Sequence, residues 1–152
     1  MITVRRAIPD DIEALSNLFY QGSLEAHNQE CPISIEQTNE LVKTYFDIGK
    51  FINIFFDGDK LVGACCHETI GQLLAMVHLD IHKDFRGLRL SYKILLMDKS
   101  FCNGISLVSM VPECNEKVIK SALRAGYSIV GYLPNCWNQG GNIMGRVVLF
   151  KE

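Results

Sequence analysis

The chain has 152 residues, of which 48% are hydrophobic and 21% are charged, and its formal net charge at pH 7 is −2. This length and composition predict a single domain over residues 1–152 with a sizeable core, and the nearly balanced charge gives no global sign of nucleic-acid or membrane-surface binding. Because neither a secretion signal nor a membrane-spanning run is recognisable, we expect a cytoplasmic location and no membrane partner.

The first third of the chain predicts a strand followed by two helices. The segment "ITVRRA" has the pattern of a short strand, and "PDDIEALSNLFYQG" has apolar residues at helical spacing. Gly22 is expected to end this first helix. Ser34 and Gln37 have the spacing of a capping box, which predicts the start of a second helix.

Three strands are predicted next. The segments "FINIFF" and "KLVGACCHE" flank Asp57-Gly58-Asp59, a turn sequence typical of a β-hairpin. The segment "QLLAMVHLDI" is long and apolar enough to lie in the centre of a sheet.

The rest of the chain alternates helices with strands and ends in two strands. In chain order these elements are a helix from Leu90 closed by Asn103-Gly104, the strand "ISLVSMV", the helix "PECNEKVIKSALRAG" stopped by Gly126, and the strands "YSIVGYL" and "IMGRVVLF" separated by the loop "PNCWNQGGN". The order predicts an α/β fold with a single mixed, mainly antiparallel sheet of about seven strands and helices on both faces.

The cysteines do not have the spacing of a metal site. There are six, namely Cys31, Cys65, Cys66, Cys102, Cys114 and Cys136. In a reducing cytoplasm their expected role is to fill the core. A site made of Cys66, His67 and His78 is conceivable, but the paired ligand spacing of zinc sites is absent, so no metal is expected.

Positive charge collects where the third helix begins, in the stretch "DIHKDFRGLRLSYKIL" from Asp80 to Leu95. The basic residues are Lys83, Arg86, Arg89 and Lys93. The first N–H groups of a helix have no partner within the helix and bind anions, phosphate above all. Charge and spacing alone leave two readings open, a phosphate site and a solvated basic patch. The phosphate-loop and dinucleotide-binding motifs are both missing.

Known motifs favour the phosphate site. The run Arg86-Gly87-Leu88-Arg89-Leu90-Ser91 resembles the signature Arg/Gln-x-x-Gly-x-Gly/Ala of the GNAT superfamily of N-acetyltransferases. The upstream "LDIHKDFRG", the later "NEKVIKSALRAGY" and the opening "ITVRRAIPDDIEAL" are also similar to segments of that family. The resemblance implies the GNAT fold and transfer of an acetyl group from acetyl-coenzyme A.

The resemblance also implies roles for individual residues. Backbone groups of Leu79 and Ile81 would pair with the pantetheine arm, and Asn115 would contact the cosubstrate near its thiol. The pyrophosphate would be held by the backbone amides of Arg86, Gly87, Leu88, Arg89, Leu90 and Ser91. Two residues depart from the family pattern. Arg89 stands where the family has glycine, and Ala122 stands where many members have a tyrosine that protonates the leaving thiolate.

Acetyl transfer by direct attack in a ternary complex needs a general base to deprotonate the amine. The candidate catalytic residues are His78 and Asp80 on the central strand and Glu113 before the last helix, and His67 is a further candidate. His78 has the most suitable intrinsic pKa, although a lone histidine on an apolar strand is more often structural.

Two other functions remain open at this point. The departures at Arg89 and Ala122 are compatible with a GNAT-shaped protein that has lost catalysis and serves as a structural or regulatory binding module. A nucleic-acid binder is disfavoured by the small basic patch and the negative net charge. The expected partners are therefore acetyl-coenzyme A and an unidentified primary amine on a small molecule or a protein, and a homodimer is left open.

Overall fold

A computed structural model describes residues 1–26, 34–86, 90–102, 104–139 and 141–152. Within these ranges the strands are β1 (Ile2–Arg6), β2 (Phe51–Asp57), β3 (Lys60–Gly71), β4 (Leu74–Ile81), β5 (Ser106–Pro112), β6 (Ser128–Gln139) and β7 (Asn142–Lys151). The α-helices in the same ranges are α1 (Ile12–Ala26), α2 (Ile35–Asp47), α3 (Leu90–Phe101) and α4 (Glu116–Arg124), and short 3-10 helices lie at Pro9–Asp11 and Lys83–Phe85.

The strands form one sheet of seven in the order β1-β2-β3-β4-β5-β7-β6, so β4 is central as predicted. The pairs β1–β2, β2–β3, β5–β7 and β6–β7 are antiparallel, and β4–β5 is parallel. Both the element order and the mixed, mainly antiparallel sheet predicted from the sequence are confirmed.

The chain divides into two compact units, so the single domain expected from its length stays a prediction. The first unit comprises Met1–Glu68 and His78–Arg86, and the second comprises Thr69–Val77 and Gly87–Glu152.

In the first unit, α1 and α2 cover one face of the β2–β3 hairpin. The buried side chains of this core are Ala7 after β1, Leu15 and Leu18 of α1, Val42 of α2, Ile52 and Ile54 of β2, and Ala64 and Cys66 of β3. The cross-strand register is Ile52 with Cys66 and Ile54 with Ala64, which places these four residues on the same face. The hairpin turns at Gly58, whose φ is +60°, where the sequence predicted it.

Helix α2 begins where its local signal predicts, but α1 does not end where expected. At the start of α2, Ser34 Oγ accepts from the Gln37 N–H at 3.2 Å and Gln37 Oε1 accepts from the Ser34 N–H at 2.7 Å, which confirms the capping box. Helix α1, in contrast, runs through Gly22 to Ala26. A Cβ at Gly22 would lie 2.5 Å from Asp80 Oδ1, so this glycine permits a close approach and does not stop the helix.

In the second unit, helices α3 and α4 meet through Ser91 Oγ, which donates to Ser121 Oγ at 3.1 Å. Gly126, with a φ of +88°, follows α4 as the predicted stop.

The predicted loop "PNCWNQGGN" is wrong in its first part, because β6 continues to Gln139. The register passes from Leu133 opposite Arg146 to Trp137 opposite Met144, so three residues of β6 face one residue of β7. Pro134 begins this bulge, since it has no N–H for the ladder, and Asn135 adopts a left-handed φ of 51°. The sequence predicted a loop here because Pro134 and Asn135 are typical turn residues, whereas in the structure they form a bulge within β6.

No helix in the described part of the chain has both the length and the apolar character needed to cross a membrane.

Candidate active site

The central strand β4 pairs with β5 over only a short distance. The parallel register comprises Leu74 with Ser106, Ala75 with Leu107, and Met76 with Val108, whereas β4 itself continues to Ile81. The four predicted site residues of β4 (His78, Leu79, Asp80 and Ile81) all follow the last of these pairs.

Asp80 is the candidate base whose surroundings shift its pKa toward neutral. It is partly buried and shares a face of β4 with the exposed His78, two residues earlier. Burial raises the pKa of Asp80 to about 6 from the ordinary 3.8. The close approach of its carboxylate to Gly22 of α1 is part of that burial. Asp80 is therefore ionised at neutral pH, yet it is a stronger base than an exposed aspartate.

Three further polar side chains of the first unit (Tyr45, Lys50 and Glu68) interact electrostatically with Cys66, as Asp80 does. Lys50 Nζ lies 3.2 Å from Glu68 Oε2 and 4.4 Å from the centroid of the Tyr45 ring. Burial raises the pKa of Tyr45, and electrostatic interactions with Cys66, Glu68 and Asp80 raise it further. Asp80 therefore shares one electrostatic environment with four residues, Tyr45, Lys50, Cys66 and Glu68. The sequence analysis missed Tyr45, Lys50 and Glu68, because only the tertiary fold brings the end of α2 to β3.

Cys66 itself is poorly suited to be a nucleophile. Burial raises the pKa of its thiol to about 11, an effect that Lys50 opposes and that Asp80 and Glu68 reinforce. The thiolate, which is the reactive form, is therefore scarce at neutral pH.

Arg86 lies next to the end of β4. Its Nε donates to the Ile81 carbonyl at 2.9 Å, and its side chain is exposed. The three residues that follow it in the predicted pyrophosphate loop (Gly87, Leu88 and Arg89) lie outside the described residues, so their assigned roles stay predictions.

The remaining residues assigned to the cosubstrate lie at two helix starts of the second unit. Leu90 is buried at the start of α3, and Ser91 follows it with its hydroxyl bound to Ser121. Asn115 is the exposed N-cap residue of α4, but its side chain makes no capping hydrogen bond. The side chain of an N-cap asparagine ordinarily accepts a hydrogen bond from its own helix. Because the Asn115 side chain does not, its amide group is left for other partners.

Glu113 has a different setting from Asp80. Its Oε1 accepts from the Gly145 N–H at 2.8 Å and its Oε2 accepts from the Tyr132 hydroxyl at 2.7 Å. These hydrogen bonds hold the pKa of Glu113 below its usual value, with the Gly145 amide as the larger cause. Glu113 thus connects the end of β5 to β6 and β7, and its lowered pKa makes it a weaker base than Asp80.

His67 lies in the core. Its buried ring stacks on Phe51, with ring centroids 4.3 Å apart, and its Nδ1 lies 3.3 Å from the Phe51 carbonyl oxygen.

The fold has many counterparts among solved structures, although a scan against protein-family models and a search of curated proteins find no match. The spermidine N-acetyltransferase of Vibrio cholerae, solved with CoA and spermine, has a TM-score of 0.84 at 16% identity over 99% of this chain and 94% of that one. The N-acetyltransferase of Staphylococcus aureus Mu50 has a TM-score of 0.81 at 15% identity over 100% and 98% of the two chains.

A third structure with the same fold is the GNAT superfamily phosphinothricin acetyltransferase of Sinorhizobium meliloti, solved with acetyl-CoA. It has a TM-score of 0.81 at 14% identity, over 99% of this chain and 87% of that one. The present chain therefore has the GNAT fold, as its sequence motifs predicted.

Proposed function

We propose that this protein is an N-acetyltransferase that moves the acetyl group of acetyl-coenzyme A to a primary amine by direct attack in a ternary complex. The proposal is supported by a fold that matches acetyltransferases along the whole chain. The single observation on which the chemistry rests is the partly buried Asp80 carboxylate on the central strand, which lies against Gly22 of α1 and whose pKa burial raises to about 6.

In this proposal, acetyl-coenzyme A binds by the contacts that the sequence motifs imply. Backbone groups of Leu79 and Ile81 pair with the pantetheine arm, the amides from Arg86 through Ser91 hold the pyrophosphate, and Asn115 contacts the thiol end. Two observations fit these roles. The β4–β5 ladder ends at Met76, before Leu79, and the side-chain amide of Asn115 does not cap its own helix.

Asp80 acts as the general base. Its carboxylate accepts a proton from the substrate ammonium, and the free amine then attacks the thioester carbonyl carbon. A carbon–nitrogen bond forms and the carbon–sulfur bond breaks. The nitrogen loses its second proton, which water transfers to the departing thiolate, so coenzyme A leaves as a thiol, and Asp80 releases the first proton to solvent. Water has this role because Ala122 supplies no acidic group. His78 and Glu113 remain the alternative candidates, and retention of kcat in Asp80→Asn would assign the role to one of them.

Direct attack is favoured over an acetyl-cysteine intermediate by the state of Cys66. This thiol shares the electrostatic environment of Asp80, but its pKa of about 11 leaves little thiolate at neutral pH. Initial-rate kinetics distinguish the two routes, because a ternary complex gives intersecting reciprocal plots and a covalent intermediate gives parallel ones.

The test combines calorimetric titration with acetyl-coenzyme A and an acetylation assay on a panel of amines that includes spermine. We expect micromolar binding and turnover, with kcat reduced about 100-fold in Asp80→Asn. Asp59→Asn, in the exposed turn after β2, is the matched control and should behave as wild type. Absence of both binding and turnover would refute the proposal and favour the binding module. The cytoplasmic location and the homodimer remain predictions.

A further inference from the structure

Lys50 occupies a site in the first unit that has the composition of an ammonium-binding site. Its Nζ lies over the face of the Tyr45 ring, 4.4 Å from the centroid, and 3.2 Å from Glu68 Oε2. An aromatic face and a carboxylate are the two groups that proteins use to bind organic cations. The side chain of Lys50 thus shows what this pair of groups binds.

The site is open on one side. The Lys50 side chain is only 18% exposed, whereas that of Glu68 is 47% exposed. The ammonium is therefore largely covered while the carboxylate that binds it is accessible to solvent. Lys50 reaches the site on a flexible four-carbon stem, so rotation of its side chain is enough to withdraw the ammonium.

The site also lies near the proposed general base. Glu68 lies on β3 and Asp80 lies on β4, which are neighbouring strands of the sheet. Both carboxylates act electrostatically on Tyr45 and on Cys66. With Lys50 present, the ionised cluster has two negative charges and one positive charge, so it favours positively charged ligands.

We propose that Tyr45 and Glu68 bind a second ammonium group of the acceptor, which displaces Lys50 while the reacting amine lies at Asp80. The preferred acceptors are therefore diamines and polyamines. This inference rests on the proposed function and specifies the substrate class of the same site. In this scheme Lys50 is an internal competitor that keeps Glu68 paired when no acceptor is bound.

The test compares α,ω-diaminoalkanes of increasing length with monoamines of equal length. The diamine of optimal length should have a kcat/KM at least tenfold above that of its monoamine, because only the diamine fills the second site. In Glu68→Gln the KM for the diamine should rise about tenfold while that for the monoamine stays unchanged. In Lys50→Met, which keeps the apolar stem, the KM for the diamine should fall about threefold.

A matched control comes from a second lysine–glutamate pair of the first unit. Lys43 Nζ lies 2.6 Å from Glu40 Oε1 on the exposed surface of α2. Lys43→Met and Glu40→Gln make the same chemical changes away from Tyr45, and they should leave the discrimination between diamine and monoamine unchanged. Thermal unfolding of all four variants establishes that each one is folded.

Calorimetric binding of the diamine without acetyl-coenzyme A provides a readout that does not depend on turnover. Binding by wild type that Glu68→Gln abolishes supports the inference even if no acetylation occurs, in which case only the proposed function fails. Equal use and equal binding of diamine and monoamine, unaffected by Glu68→Gln, overturn the inference and leave an acetyltransferase of monoamines intact.

Discussion

Replacing Asp80 by asparagine separates the two consequences of burying its carboxylate, a cost in stability and a gain in basicity. The pKa of about 6 in the fold, against 3.8 in an exposed chain, corresponds to about 3 kcal/mol against the ionised form. Because the side chain remains partly exposed, we expect solvent to reduce this penalty to about 2 kcal/mol. Asparagine has nearly the same shape and no charge, so Asp80→Asn should remove the penalty.

The sign of the pH dependence follows from the raised pKa. The protonated acid is favoured in the fold, so its contribution to the free energy of unfolding is present below about pH 4 and is lost as the pH rises to about 6. The difference in stability between Asp80→Asn and wild type should therefore be near zero at pH 4 and reach about 2 kcal/mol at pH 8.

Urea denaturation at intervals between pH 4 and pH 8 measures this difference directly, and thermal unfolding at pH 8 should show a Tm about 4–8 °C higher in the variant. The same protein should have lost most of its acetyltransferase activity. Asp59→Asn should change neither quantity. A variant that is equally stable or less stable than wild type at pH 8 would refute the reasoning, because the carboxylate would then bear no burial penalty.

Three further predictions concern Asp80, the adjacent Gly22, and Gly145, which donates to Glu113. The logarithm of kcat/KM should fall with unit slope below about pH 6, and this inflection should disappear in Asp80→Asn; an inflection that persists there would assign it to another group. Gly22→Ala places a Cβ 2.5 Å from Asp80 Oδ1, so kcat should fall about tenfold or more while circular dichroism stays unchanged. Gly145→Ala places a Cβ against the hydroxyl end of the Tyr132 side chain, so the Tm should fall by about 3–10 °C, whereas an unchanged Tm would mean that the side chain moves freely.

The features of the fold that the sequence predicted correctly are those with local causes. The capping box at Ser34 and Gln37 involves residues three apart, and the hairpin at Gly58 requires a positive φ in a two-residue turn. Gly126 ends α4 for the same kind of reason. Each of these signals is complete within a few residues, so no knowledge of the tertiary structure is needed to read it.

The features that the sequence did not predict depend on residues far apart in the chain. Gly22 appears locally as a helix stop, but its role is to admit the Asp80 carboxylate, 58 residues later in the sequence. The cation site likewise joins Tyr45 of α2 with Glu68 of β3 through Lys50. Periodicity along α2 and β3 predicts which residues face the core, but it cannot predict which polar side chains meet at its edge.

The choice of a general base illustrates why the environment outweighs residue type. Among the predicted candidates His78 has the intrinsic pKa closest to neutral, so the sequence alone favours it. Burial brings the pKa of Asp80 to about 6, within the range that histidine has by default, whereas hydrogen bonds move that of Glu113 in the opposite direction. The two carboxylates thus differ because Gly22 packs against one and the Gly145 amide donates to the other.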